Sequence, residues 1–249
     1  MARGSKFLRG LLIVISIVVP SIGYSYILPS TQIIEFMVKK FAGVKTLQIT
    51  QLTKILDLDK EMEMLFGESI SLMSPDLYRS EVAGQPGKRI IVHNGSRTLR
   101  IIDGDVAHEK ENEAFLFHFL MLAQGSRQLK KGLEELGINL DMVSLTRFQG
   151  KIAYLIGNKE RGSPRLLVDK DLFIPLMLQY GNLTFFASDF AELKRQLWYP
   201  RYILYSYTGA NIEDYIQEEY RIKDIIINPP IDESHFDIPL IKAKFSKSR

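Results

Sequence analysis

The clearest pattern in the sequence is an alternation of apolar and polar side chains between residues 67 and 106. Four short runs rich in β-forming residues lie in this stretch, Ser69 to Met73, Leu77 to Val82, Arg89 to His93 and Thr98 to Ile102. Asn94-Gly95 and Asp103-Gly104 follow two of these runs, and such pairs supply the positive φ angles of a type I′ hairpin turn. The pattern therefore predicts an antiparallel meander.

The alternation also predicts which side chains share a face of the sheet. Ile70 and Leu72 point to one face of their strand, and their polar neighbours point to the other. Leu99 and Ile101 likewise point away from Thr98 and Arg100 on their own strand. A sheet of this kind has one apolar face, which other elements have to cover.

Segments with apolar residues at helical spacing are the candidates to cover the apolar face of the sheet. Ile33, Ile34, Met37, Val38 and Phe41 recur at this spacing after Pro29-Ser30-Thr31, and residues 127–136 form a second, conventional amphipathic helix. Residues 111–124 differ, because Ala114 to Ala123 is apolar except for His118 and a helix there would be apolar on every side. Such a helix is either enclosed in the core or lines a site for an apolar ligand with its second face.

The second half of the chain predicts more strands. They are Met142 to Phe148, Lys151 to Ile156, Arg165 to Val168, Leu172 to Gln179, Arg201 to Thr208 and Glu218 to Ile227. Pro175 cannot donate a ladder hydrogen bond, so its strand should lie at an edge or contain a bulge. We expect a helical or irregular turn over residues 190–198, a loop over 228–239 and a solvated basic tail over 242–249.

The first 25 residues have the pattern of a secretory signal peptide. Arg3, Lys6 and Arg9 precede the uncharged stretch Gly10 to Tyr24, and Gly23 and Ser25 fit a cleavage site. The alternative is an uncleaved anchor, although the apolar run is shorter than a membrane span. The absence of cysteine excludes a lipid-modified leader and disulfides. Residues 26–249 then form one domain, which we expect to be a soluble periplasmic monomer.

Charge and candidate chemistry argue against several classes of function. The chain has 32 Lys and Arg against 29 Asp and Glu, and three of the basic residues lie in the leader, so no basic excess for nucleic acid remains. The four histidines are scattered without metal-ligand spacing. No nucleophile elbow, phosphate loop or dinucleotide fingerprint occurs. The sequence therefore predicts no catalytic residue, metal or cofactor.

The order of these elements resembles the LolA-like family of periplasmic lipoprotein carriers and sorting proteins, which also includes LolB and the amino-terminal domain of RseB. The resemblance covers nearly the whole mature chain. Its first motif is Gly67, Ile70, Leu72, Pro75, Tyr78 and Arg79, and the later ones are Asp103-Gly104, Val168-Asp169-Lys170 with Pro175, Tyr199-Pro200 with Tyr202-Ile203, and Ile225 to Asn228 with Ile231 and Phe236.

The resemblance implies a fold and a function. The family fold is a mainly β, α+β half-barrel, in which a curved and incompletely closed antiparallel sheet wraps around helices that cover its concave face. The implied function is to carry lipid or lipoprotein acyl chains from an inner-membrane donor complex to an outer-membrane acceptor. Ser74 stands where the family often has an arginine tied to lid closure, so that latch is in doubt.

The candidate lining of the acyl cavity combines sheet residues with residues of the apolar helix. We predict Ile70, Leu72, Tyr78, Leu99, Ile101, Phe115, Phe119 and Leu122 as lipid-binding residues. Plain core packing would produce the same pattern at each of these positions. The alternative function is a non-enzymatic periplasmic module that uses the same fold to bind a protein partner, as the RseB-like resemblance allows.

Overall fold

The computed structural model describes residues 27–57, 62–83, 87–95, 97–107, 113–193, 197–208 and 215–246. The predicted signal peptide lies outside these ranges. The first six strands are β1 (Thr46–Asp57), β2 (Met62–Met73), β3 (Leu77–Ala83), β4 (Arg89–Asn94), β5 (Arg97–Ile102) and β6 (Asp105–Ala107). The later strands are β7 (Val143–Phe148), β8 (Lys151–Gly157), β9 (Arg165–Asp169), β10 (Pro175–Tyr180), β11 (Leu183–Leu193), β12 (Leu197–Thr208) and β13 (Tyr215–Ile227).

All thirteen strands belong to one antiparallel sheet. Its order is β6-β5-β4-β3-β2-β1-β13-β12-β11-β10-β9-β8-β7, so β1 and β13 join the two halves of the chain at the centre. Among the described strands, β6 and β7 form the two edges and do not pair with each other. The predicted half-barrel, mainly β and incompletely closed, is therefore confirmed.

The inner face of the sheet is covered by the three helices in the first half of the chain, α1 (Ser30–Phe41), α2 (Glu113–Leu122) and α3 (Ser126–Glu135). Their buried side chains form one cluster with the sheet. We call it the inner cluster. Its members from the three helices are Ile33, Ile34, Met37, Phe41, Phe117, Leu120, Met121, Leu122, Leu129 and Leu133. Its members from β1, β2 and β3 are Leu47, Ile49, Ile70, Leu72 and Tyr78. The predicted cover of helices on the concave face is confirmed.

The outer face of the sheet is covered at β4 and β5. A 3-10 helix (Glu233–Phe236) and α4 (Ile238–Ser246) pack there. The outer cluster consists of Ile90, Val92, Leu99, Ile101, Phe236, Ile238 and Ile241. The predicted loop is confirmed for residues 228–232 and wrong from Glu233 onward, because Phe236, Ile238 and Ile241 bury their apolar side chains in helical segments. The predicted tail is helical as far as Ser246, and its Lys242 and Lys244 are exposed as expected.

Turn chemistry explains the hairpins of the meander. Asp103 and Gly104 both have positive φ, as predicted for the turn between β5 and β6. Asn94 instead remains in β4 and pairs with Arg97, so the loop of the preceding hairpin begins at Gly95, which takes the positive φ.

Of two predictions for the second half of the chain, one is confirmed and the other is not. The ladder between β9 and β10 shifts register between Pro175 and Met177, which confirms the bulge that proline imposes within the sheet. The helical or irregular turn expected over residues 190–198 is wrong for residues 190–193 and 197–198, and residues 194–196 lie outside the described part of the chain. Strand β11 continues to Leu193 and β12 begins at Leu197, with Phe190 opposite Pro200, so the two strands extend their pairing past the predicted end.

The outer cluster predicts a contrast between neighbouring residues of α4. Ile241 is 3% exposed and Leu240 is 43% exposed. We expect Ile241→Ala to lower the free energy of unfolding by about 2–4 kcal/mol, because it leaves a cavity against β4 and β5. The matched control Leu240→Ala should lose less than about 1 kcal/mol. Urea unfolding measures both, and equal losses would show that α4 does not pack as described.

Candidate functional site

The region between α2 and the inner face of the sheet is the candidate site. A cavity there is lined by Gln51, Ile70, Tyr78, Phe117, His118, Phe185, Ile203 and Tyr220. Its volume is about 10 Å³, which suits a single water molecule. An acyl chain therefore does not fit this cavity while α2 remains in place.

Four of the predicted lipid-binding residues come together at this site. Ile70, Leu72 and Tyr78 from the sheet and Leu122 from α2 belong to the inner cluster, and each is at most 2% exposed. Phe119 is half-buried and packs against the same cluster. A Cβ atom added at Gly132 would lie 2.4 Å from the Phe119 ring, so this ring contacts the backbone of α3. The side chain of Phe115 lies outside the described part of the structure.

Leu99 and Ile101 lie on the other face of the sheet. Tyr78 is opposite His93 and Ser80 is opposite Ile91, so odd-numbered residues of β4 share the inner face. Ile91 is in turn opposite Arg100, and alternation places Leu99 and Ile101 on the outer face. The prediction that they share one lining with Ile70 and Leu72 is wrong. Both faces of this hairpin are covered, so alternation alone did not identify the inner one.

His118 and Tyr199 connect α2 to β12 inside the core. The Tyr199 hydroxyl and His118 Nδ1 form a hydrogen bond of 3.0 Å, and the two rings are stacked 6.2 Å apart. His118 also lies near Tyr78 and Phe117, whose rings contact it from the sheet and from α2. Burial lowers the pKa of His118 to about 4, and burial raises the pKa of Tyr199 well above its usual range. Both side chains are therefore neutral at pH 7.

A buried polar cluster adjoins the cavity on the inner face. The carboxylate of Glu68 accepts hydrogen bonds from Gln51 Nε2 at 2.7 Å, from Thr53 Oγ1 and from Ser80 Oγ. Arg89 Nη2 lies 3.4 Å from the same carboxylate. Glu68 is only 5% exposed, so these donors replace the water that the buried carboxylate loses.

Two neighbours extend this cluster toward solvent. Burial acts to lower the pKa of Arg89, but Glu68 and Glu218 together raise it above its usual range, and the guanidinium stays charged. Tyr220 donates a hydrogen bond to Glu218, and burial followed by the charge of Glu218 raises the pKa of this tyrosine well above its usual range. The inner face therefore combines a dry apolar region with a charged one.

Sequence reasoning missed this polar cluster, although a signal was present. Gln51 is in phase with Leu47 and Ile49, and Glu68 is in phase with Ile70 and Leu72. Gln51 and Glu68 are directly opposite each other in the β1–β2 ladder. Polar residues in phase with an apolar face on paired strands are the pattern that could have identified it.

Ser74, which stands where the family often has an arginine, contacts the end of α2. Its Oγ donates a hydrogen bond of 2.8 Å to the backbone carbonyl of Leu122, in the last turn of α2. A helix leaves its last carbonyls without intrahelical donors, so this hydroxyl satisfies one of them. The short serine side chain thus connects β2 to the end of α2.

The described residues contain no group of three or more His, Asp or Glu side chains arranged to hold a metal ion. None of the described helices is both long and apolar enough to cross a membrane.

No family model matches the sequence, and no curated protein matches it significantly. Solved structures share its fold. A domain assigned to outer membrane lipoprotein sorting from Vibrio parahaemolyticus aligns with a TM-score of 0.56 at 10% identity, over 85% of this chain and 97% of the other. A LolA superfamily protein from Nitrosomonas europaea gives 0.55 at 10% identity, over 86% and 99% of the two chains.

A DUF1329 family protein from Desulfovibrio piger aligns with a TM-score of 0.53 at 10% identity, over 85% of this chain and 98% of the other. At these identities the similarity shows the fold alone. The chain therefore has a LolA-like fold, as the order of its motifs predicted.

The buried His118 predicts a dependence of stability on pH. Because its folded-state pKa of about 4 lies below the ordinary 6.5, the unfolded chain takes up a proton first as the pH falls. Protonation of His118 in the unfolded chain should therefore lower the free energy of unfolding of the parent by about 3 kcal/mol between pH 7 and pH 4, with little further change at lower pH. In His118→Gln this component is absent.

Urea unfolding of both proteins at several pH values measures the difference. His235→Gln serves as the control, since His235 is exposed on the 3-10 helix. Parallel pH profiles for the parent and His118→Gln would contradict the buried, neutral state of His118.

Proposed function

We propose that the chain is a periplasmic carrier that holds lipid or lipoprotein acyl chains between the inner face of the sheet and α2. It receives them from an inner-membrane donor complex, releases them to an outer-membrane acceptor and works as a monomer. The observation that carries this proposal is the burial of the described side chains of α2. Phe117, His118 and Leu120 to Leu122 are each at most 4% exposed, and Phe119 is half-buried.

A helix whose described side chains are mostly buried and apolar is a suitable competitor for an acyl chain. Its contacts with the sheet are mainly hydrophobic and non-directional, so hydrocarbon can replace them without loss of specific geometry. Each acyl methylene removed from water contributes roughly 0.8 kcal/mol, and a dozen contribute about 10 kcal/mol before ordering costs. The burial of the cargo therefore offsets part of the free energy that displacing α2 requires.

The polar links between α2 and the sheet are compatible with such a displacement. The bond from Ser74 to Leu122 joins two uncharged groups, and so does the bond between Tyr199 and His118. A hydrogen bond of this kind contributes only about 1 kcal/mol net when water can replace it. These contacts orient the closed helix and are weak enough to break when a lipid enters.

A second function is favoured by the filled interior. The cavity beside α2 is only about 10 Å³, and the inner-cluster side chains around it are almost completely buried. A domain whose core its own side chains complete suits a regulatory module that binds a protein partner on the same fold. Occupancy by lipid distinguishes the two functions.

The direct test is mass spectrometry of organic extracts from the purified protein, together with titration of a fluorescent fatty acid. The carrier predicts a co-purifying lipid near one molecule per chain and saturable uptake by the delipidated protein. An extract without lipid, combined with no uptake, would reject the carrier and leave the interaction module.

The hydrogen bond of Ser74 provides a kinetic test of the movement of α2. We expect Ser74→Ala to take up the fluorescent fatty acid about fivefold faster than the parent, because opening no longer breaks this bond. Ser69→Ala is the matched control, since Ser69 is exposed on the outer face of β2, the strand that ends just before Ser74. Stopped-flow fluorescence measures the rates, and an unchanged rate in Ser74→Ala would show that α2 does not open during uptake.

A further inference from the structure

Two arginines occupy neighbouring positions on the inner face near one edge of the sheet. Arg89 in β4 is opposite Ile102, and Arg100 in β5 is opposite Ile91. Alternation puts all four side chains on the same face, and Arg89 and Arg100 are diagonal neighbours across the ladder. Diagonal neighbours are within reach of each other when both side chains are long.

Each of these arginines has an unused hydrogen-bond donor. The Nε atoms of Arg89 and Arg100 are buried, and neither has a hydrogen-bond partner within the described part of the chain. The contact of Arg89 with Glu68 is made by Nη2 at 3.4 Å, so it leaves Nε unpaired. An unsatisfied buried donor costs free energy, more so on a charged group. A ligand with acceptor oxygens would remove this cost.

The same corner of the inner face is open to a ligand. Ile102 lies beside Arg89 on this face and is 45% exposed. The side chain of Arg89 itself is 25% exposed, and Arg100 is half-buried. A group entering from solvent can thus approach both arginines without crossing the inner cluster, and it reaches their buried Nε atoms when the side chains that cover them move aside.

The donors determine the chemistry of the ligand. A guanidinium stays charged across the physiological pH range, and its planar fork matches the oxygens of phosphate or carboxylate. Glu68 accepts hydrogen bonds from Gln51, Thr53 and Ser80. Glu218 also lies near Arg89, and Asp105 is opposite Ile102 on the same face, so the feature that points to a ligand is the pair of Nε donors and not a surplus of positive charge. The unpaired donors therefore fit an oxyanion.

We propose that Arg89 and Arg100 form a binding site for an oxyanion headgroup, phosphate or carboxylate, that is attached to an acyl chain. The inference rests on the proposed carrier function and narrows its cargo to anionic lipids. The acyl chain would lie beneath α2, and the headgroup would remain at the more open corner beside β5.

The test compares ligands that share one acyl chain. Oleoyl lysophosphatidic acid and monooleoylglycerol differ by the phosphate, and oleate and oleyl alcohol differ by the carboxylate. Displacement of a fluorescent fatty acid from the delipidated full chain measures each affinity. We expect the anionic member of at least one pair to bind about tenfold more tightly or better, and the pair that shows this identifies the headgroup.

Two arginine variants distinguish binding at this site from a general effect of positive charge on the affinity for anionic lipids. Arg100→Gln should reduce the preference for the anionic lipid to about twofold or less, while binding of the uncharged lipid stays unchanged. Arg97→Gln is the matched control, because Arg97 is exposed on the outer face of the same strand and carries the same charge. Arg97→Gln should keep the parent preference. An equal loss in both variants would overturn the proposal.

Failure of the site and failure of the carrier give different results. If the parent binds charged and uncharged lipids equally well, the oxyanion site is wrong and the carrier function stands. If the parent binds none of the four lipids, the carrier function fails, and this inference fails with it. The parent comparison decides the matter even if Arg100→Gln does not fold.

Discussion

The incompletely closed antiparallel sheet has two faces, and the helices that cover each face determine what that face can bind. In this chain β1 and β13 pair at the centre, and β6 and β7 remain as separate edges among the described strands. The inner face carries α1, α2 and α3, and part of the outer face carries α4. Local burial of apolar area fixes these helices, since the strands alone leave Ile70 on one face and Leu99 on the other without cover.

The two covers differ in chemical character. On the outer face, apolar side chains such as Phe236 and Ile241 complete a small dry cluster. On the inner face, the helices lie over a surface that contains the carboxylate of Glu68 and the guanidinium of Arg89 as well as apolar residues. Buried polar groups of this kind are retained at a cost in desolvation. The inner face is therefore the one whose residues packing alone does not explain.

Much of the fold follows from sequence patterns, because hairpin turns and alternating strands are local features. Asp103-Gly104 specifies its turn, and the apolar run around His118 specifies a helix whose described side chains are mostly buried. Face assignment depends on contacts between distant segments, and for this reason Leu99 and Ile101 were placed on the wrong side of the sheet. The outer face of β4 and β5 is covered by residues more than a hundred positions later in the chain. The polar cluster at Glu68 likewise becomes visible only when the ladder register brings it opposite Gln51.

The proposed carrier requires α2 to leave the inner face while the other parts of the inner cluster, including α1, stay packed on the sheet. Native-state hydrogen exchange tests this most directly, since it reports the opening free energy of each helix separately. The account predicts that amides of residues 118–122 exchange through an opening at least about 2 kcal/mol less costly than that of residues 34–40 in α1. Equal opening free energies for both helices, matching global unfolding, would show that α2 is a fixed part of the core and would contradict the account.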